Sequence, residues 1–82
     1  MVDHPEITGA LQDAVAETVR SNPAAVQRWL ANEPGAWGYL ADQGVLAYRR
    51  RLGRKLTDDE RRTLWAALWR ALEGLRGQAG ES

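Results

Sequence analysis

The stretch from Ala36 to Leu52 constrains the fold most, because its apolar side chains recur at the spacing of an α-helix. At 100° per residue these side chains share one broad face, which predicts a single continuous helix that is buried along that face. The face consists of Trp37, Leu40, Ala41, Gly44, Val45, Ala47, Tyr48 and Leu52. Because Gly44 lies in its middle, we expect another helix to cross closely there, with a tryptophan ring as a candidate for the contact.

Capping and helix-breaking residues divide the rest of the chain. Asn22-Pro23 can start a helix, Pro34-Gly35 interrupts the chain, and Gly53 suits a left-handed C-cap. Thr57 and Glu60 can form a capping box at the start of a last helix. These signals predict helices over residues 5–20, 23–31, 36–52 and 58–76.

We therefore expect an all-α fold, a small orthogonal bundle of four helices. Residues 1–76 would form one domain, and residues 77–82 would form a flexible tail. The first helix has an apolar stripe formed by Ile7, Leu11, Val15 and Val19, and the last has one formed by Leu64, Leu68, Leu72 and Leu75, which Trp65 and Trp69 widen to about half of the circumference. We expect the core to contain Trp29, Trp37, Leu40, Leu64, Trp65 and Leu68.

Length and composition exclude several kinds of protein. A chain of 82 residues fits one domain with a limited core, and it contains no cysteine that could form a disulfide or a thiolate metal site. No apolar run reaches the roughly 20 residues that a membrane-spanning helix needs, and the N-terminal residues lack the order of a signal peptide. We expect a cytoplasmic protein that does not contact a membrane.

The zero net charge of the chain conceals an asymmetry. Residues 1–48 contain two basic and six acidic side chains, a net charge of −4, whereas residues 49–82 contain nine and five, a net charge of +4. Such a separation is typical of a protein with one acidic and one basic surface, or of helices that attract one another within the fold.

The sequence offers little for catalysis. His4 is the single histidine and lies near the N-terminus, where a general base would not be held in place. Asp58-Asp59-Glu60 could be interpreted as a metal cluster, but consecutive carboxylates in a first helical turn point in different directions. We expect no enzymatic activity, no metal, no cofactor and no small-molecule substrate.

Two surfaces are candidates for binding. A basic run covers the end of the central helix and the loop after it, and clusters of this kind attract phosphate backbones. Its candidate residues are Arg50, Arg51, Arg54, Lys55, Arg61 and Arg62. The alternative is a solvated helix end whose arginines only stabilise the helix dipole. Protein interaction or homodimerisation is predicted from the wide apolar face of the last helix and an exposed strip on the central helix, with Tyr39, Leu46, Trp65 and Trp69 as candidates.

A family resemblance adds to these expectations. The run Asn22-Pro23-Ala24-Ala25-Val26, followed by Gly35-Ala36-Trp37-Gly38-Tyr39-Leu40 and Gln43, resembles the helical tail domain of the GatB/YqeY family, which is found in aminoacyl-tRNA amidotransferases. The similarity in order and spacing covers about residues 22–75. It implies a helical domain that contacts tRNA, or works beside a larger subunit, without performing chemistry. It also implies an RNA-facing surface formed by Gln43, Arg50, Arg51, Arg54 and Lys55.

Overall fold

The chain folds into four α-helices. The computed structural model describes the backbone of residues 5–80 and the side chains of residues 9–78, and it contains no strand in that part of the chain. The helices are α1 (Pro5–Ser21), α2 (Pro23–Leu30), α3 (Ala36–Leu52) and α4 (Asp58–Gly80). The predicted all-α class, the number of helices and the continuity of α3 are confirmed.

Glycines in the left-handed conformation bound the central helix α3. Gly35, before its first residue, has φ +88°, and Gly53, after its last, has φ +76°. A side chain would be strained at either position, because the left-handed region is costly for residues with a Cβ atom. The Gly53 amide donates to the Arg49 carbonyl oxygen at 2.8 Å, which satisfies one of the final carbonyls of α3, as the sequence predicts.

The capping box of α4 is present, but α4 is longer than predicted. The Glu60 amide donates to the Thr57 hydroxyl at 3.1 Å, and the Thr57 amide donates to the Glu60 carboxylate at 2.9 Å. The predicted end at Arg76 is wrong, since α4 continues to Gly80. Glycine at position 77 weakens a helix without stopping it. Of the predicted flexible tail, residues 77–80 are helical, and residues 81 and 82 lie outside the described part of the chain.

The start of α2 differs from the prediction in one detail. Asn22 occupies the N-cap position of α2, yet its side chain makes no capping hydrogen bond there. The side-chain amide of Asn22 instead donates to the Thr18 carbonyl oxygen at 2.8 Å. It thus provides a partner for one of the last carbonyl groups of α1. Pro23 needs no amide partner at the first helical position.

The core lies between α3 and the other three helices, and its largest fully buried side chains include four leucines. Leu40, Leu64, Leu68 and Leu72 are each 0% exposed, and Trp29 is 5% exposed. Trp37 and Trp65 were also predicted in the core, but they are only half-buried and pack against its edge. An indole ring is large, so the neighbouring helices cover only part of each of these two side chains.

Gly44 marks the close crossing of α3 and α4. A Cβ atom at this position would lie 3.4 Å from Leu68 Cδ2 and 3.5 Å from Leu64 Cδ2. The expected close approach is therefore confirmed, and the contact is made by leucines rather than by a tryptophan ring. A larger side chain at position 44 would separate the two helices.

The first helix packs mainly against α3. Val15 is buried, while Leu11 and Val19 are half-buried against the core. The side chain of Ile7 on the predicted stripe lies outside the described residues, as does His4. No helix in the described part of the chain is long and apolar enough to cross a membrane.

Candidate nucleic-acid interface

The basic residues around the end of α3 surround a shallow depression. Helical spacing places Leu46, Arg49, Arg50 and Gly53 on one side of the helix, and the loop that follows contributes Arg54 and Lys55. These six residues line a depression of about 450 Å³. We call it the basic depression. Four cationic side chains thus surround one apolar side chain, Leu46, which is 44% exposed.

Two of the predicted RNA-binding arginines are bound to α1. Glu17 accepts from Arg50 Nη2 at 2.6 Å and from Arg51 Nη2 at 2.8 Å. The hydrogen bond from Arg51, together with that from Arg50, lowers the pKa of Glu17 against the opposing effect of partial burial. Arg51 also lies 3.9 Å from Asp13 and does not line the basic depression.

Arg54 is held by the first turn of α4. Its Nη1 and Nη2 atoms donate to the two carboxylate oxygens of Glu60 at 2.8 and 2.6 Å, a bidentate pair. This pair, with the hydrogen bond from the Thr57 amide, lowers the pKa of Glu60 to about 2. The same carboxylate raises the pKa of Arg54. Glu60 therefore completes the capping box and fixes the position of a cation at the basic depression.

The remaining predicted arginines are paired within α4. Arg61 donates to Asp58, and Arg62 donates to Asp59 at 2.6 Å. Each pair is separated by three residues on the helix surface, where such contacts are weak and easily exchanged. Neither arginine lines the basic depression.

Of the four cations that line the basic depression, Arg49 and Lys55 have no carboxylate partner among residues 9–78. Both are exposed, both line the basic depression, and neither makes an ion pair with any side chain among residues 9–78. Lys55 was among the predicted site residues and Arg49 was not. Arg49 lies three residues after Leu46, on the same helical face as Arg50, and this spacing was the signal that could have identified it.

Gln43, implied by the family resemblance, lies apart from these cations. It is half-buried on α3, about two turns before Arg50, and it does not line the basic depression. The structure therefore brings Arg50, Arg54 and Lys55 together around one depression, and leaves Gln43, Arg51, Arg61 and Arg62 outside it.

The four predicted protein-interaction residues do not lie at one place. Leu46 lines the basic depression, whereas Trp69 contacts Trp37 near the opposite end of α3. Tyr39 is 46% exposed, and its hydroxyl donates to Asn22 Oδ1 at 3.4 Å. Trp65 is half-buried and donates its indole N–H to the Ala41 carbonyl oxygen at 3.4 Å. Part of the wide apolar face of α4 is thus covered within the chain.

The three acidic residues at the start of α4 are paired with arginines. Asp58, Asp59 and Glu60 each contact an arginine, and no group of three histidine, cysteine or carboxylate side chains in the described part of the chain is placed to bind a metal ion.

This chain matches no protein-family model, no curated protein and no solved structure. Function is therefore inferred from its residues and their geometry.

Proposed function

We propose that the protein is a cytoplasmic, non-catalytic binding module that contacts tRNA or another structured RNA through the basic depression. The observation that carries the proposal is the grouping of Arg49, Arg50, Arg54 and Lys55 around Leu46. Phosphate groups bind such clusters with release of counterions, and an apolar side chain among the cations can contact a sugar or a base. The resemblance of residues 22–75 to a tRNA-contacting domain supports the same ligand class.

The ion pairs around the basic depression orient two of its four cations and offset their charge. Glu17 and Glu60 hold Arg50 and Arg54 in fixed positions, which lowers the conformational entropy that a ligand would have to remove. Arg49 and Lys55 supply charge that no described carboxylate matches. With two unpaired and two paired cations at the depression, the affinity should fall with salt at a logarithmic slope of roughly −1.5 to −3.

The proposal is tested by titrating fluorescently labelled tRNA with the full chain at several salt concentrations and measuring anisotropy. Arg49→Ala and Lys55→Ala should each weaken binding and reduce the salt slope by about 1, because each removes one phosphate contact. Neither substitution removes an ion pair that the structure shows, so stability should change by less than about 0.5 kcal/mol.

The matched control is Arg70→Ala, which removes an equal charge from an exposed position on α4 that does not line the basic depression. It should leave the affinity nearly unchanged. The proposal would be abandoned if wild-type protein bound no tRNA at low salt, or if Arg70→Ala weakened binding as much as Arg49→Ala.

Self-association is the second candidate function. It is supported by three large apolar side chains that are exposed in the single chain, namely Tyr39, Leu46 and Trp69. Light scattering at high micromolar concentration measures the mass directly. A strictly monomeric protein would remove this candidate and leave the RNA-binding proposal intact.

A further inference from the structure

Three tryptophans form a second surface at the other end of α3. The Trp69 ring stands at 90° to Trp29 and at 85° to Trp37, with centroid distances of 5.3 and 5.1 Å. Together with the turn between α2 and α3 they border a depression of about 360 Å³. We call it the aromatic groove. Its lining consists of Trp29, Asn32, Glu33, Pro34, Gly35, Trp37, Trp69 and Arg76.

The aromatic groove is rigid on one side and open on the other. The Cζ atom of Arg76 lies 4.1 Å from the centroid of the Trp29 ring. The Arg76 guanidinium also donates to the Trp29 carbonyl oxygen at 3.1 Å and to Asn32 Oδ1 at 2.9 Å. These contacts connect α4 to the end of α2 and to the turn that precedes α3. Trp69, in contrast, is 43% exposed, so a large apolar area remains accessible to a ligand.

Three of the four indole N–H groups have no acceptor within the described part of the chain, the exception being that of Trp65. No buried side-chain nitrogen or oxygen there lacks a partner. The indole nitrogens of Trp29 and Trp37 are therefore not fully buried, although the residue Trp29 is only 5% exposed. A ligand that offers acceptors can bind them.

We propose that the aromatic groove binds a proline-rich peptide segment in the polyproline II conformation. Such a segment has flat apolar ring surfaces, and its carbonyl oxygens are free because the conformation has no internal hydrogen bonds. Its prolines contribute no N–H group, so it offers mainly acceptors to the indole N–H groups that have no acceptor within the described part of the chain. Grooves lined by aromatic residues are the usual docking sites of these segments.

Charge complementarity specifies the partner further. The Glu33 carboxylate borders the groove with its side chain 52% exposed, and its ion pair with Arg28 is long, at 3.9 Å. A lysine or arginine beside the prolines would therefore be favoured. A nucleic acid fits less well, because its phosphates would meet Glu33, and the single cation lining the groove, Arg76, is already engaged with Trp29 and Asn32.

The inference is tested by nuclear magnetic resonance with the ¹⁵N-labelled full chain. The probe is a synthetic peptide of prolines flanked by arginines, and the control is a glycine-serine peptide with the same flanking arginines. The proline peptide should shift the indole N–H signals of Trp29, Trp37 and Trp69. The Trp65 indole signal should remain in place, because its N–H is already bonded to Ala41.

Two substitutions locate the site. Trp69→Ala should weaken binding at least tenfold, on the order expected for a central aromatic contact. Tyr39→Ala removes an exposed aromatic ring that does not line the groove and should leave the affinity unchanged. If Trp69→Ala perturbs the fold, Glu33→Gln serves instead, and it should weaken binding of the arginine-flanked peptide severalfold.

The inference would be overturned if millimolar proline peptide shifted no indole signal, or if the glycine-serine peptide caused equal shifts. It would also be overturned if all four indole signals shifted together. A fourth contrary outcome is that single-stranded RNA causes the same three shifts and the proline peptide causes none. Because the aromatic groove and the basic depression share no residue, either proposal can fail without affecting the other.

Discussion

At the scale of single residues, carboxylates determine where the arginines lie. Glu17 binds Arg50 and Arg51, and Glu60 binds Arg54, so three cations from one basic run have fixed positions. Exposed ion pairs of this kind contribute little to stability individually. The Glu60 pair differs, because the same carboxylate also accepts the Thr57 amide and so joins the capping box to the basic depression.

Glu60 should make stability depend on pH. Its pKa in the folded protein is about 2, below the ordinary value of 4.5. A lowered pKa contributes stability that is present above the ordinary value and is lost as pH falls through the folded value. We therefore expect Glu60→Gln to be less stable than wild type near neutral pH, and the difference to shrink between about pH 4.5 and about pH 2.

Denaturant unfolding at a series of pH values measures this difference. Glu73→Gln is the control, since Glu73 is exposed on α4 and makes no ion pair with the described side chains. A wild-type advantage over Glu60→Gln that stayed constant with pH would contradict the role given to this carboxylate.

At the scale of elements, α3 and α4 cross at Gly44 over a fully buried leucine pair. Leu64 and Leu68 lie beside Gly44, where a Cβ atom would be in van der Waals contact with both. Both leucines are 0% exposed. Because protein interiors are close-packed, a side chain removed from this crossing leaves a cavity that the neighbouring residues fill only in part.

Leu68→Ala should therefore destabilise the protein by about 2–5 kcal/mol, the usual range for a buried leucine. That is a large fraction of the roughly 5–15 kcal/mol by which a small domain is stable. Leu46→Ala is the matched control, because Leu46 is 44% exposed and should cost less than about 0.5 kcal/mol. Urea unfolding of both variants checks the comparison, and similar losses would show that the crossing is not tightly packed.

At the scale of the whole molecule, α3 is the element on which the others pack. It contacts α1, α2 and α4, and its most extensive interface is with α1. The charge asymmetry of the sequence has its explanation here, since Asp13 and Glu17 on α1 face Arg50 and Arg51 on α3. Part of the asymmetry thus serves attraction between helices, and another part, Arg49 and Lys55, lines the basic depression.

Hydrogen exchange should follow this arrangement. Amides in the middle of α3, around Leu40 to Tyr48, should exchange only on global unfolding, because one face of this stretch is buried against the other helices. The amides of α2 should exchange faster, since that helix has only eight residues and fewer neighbours. Exchange measured by nuclear magnetic resonance tests the order, and equal protection of α2 and α3 would contradict it.

The sequence by itself determined the number of helices, the continuity of α3 and the glycine and threonine residues that bound the helices, because spacing and capping are local properties of the chain. It did not determine the end of α4, since the glycine at position 77 weakens a helix without stopping it. Only the tertiary structure decided that Arg50 and Arg51 are paired, because residues separated by more than 30 positions, such as Glu17 and Arg51, meet only after the helices pack. For the same reason, only the tertiary structure revealed the aromatic groove, because its residues come from α2, α3, α4 and the turn before α3.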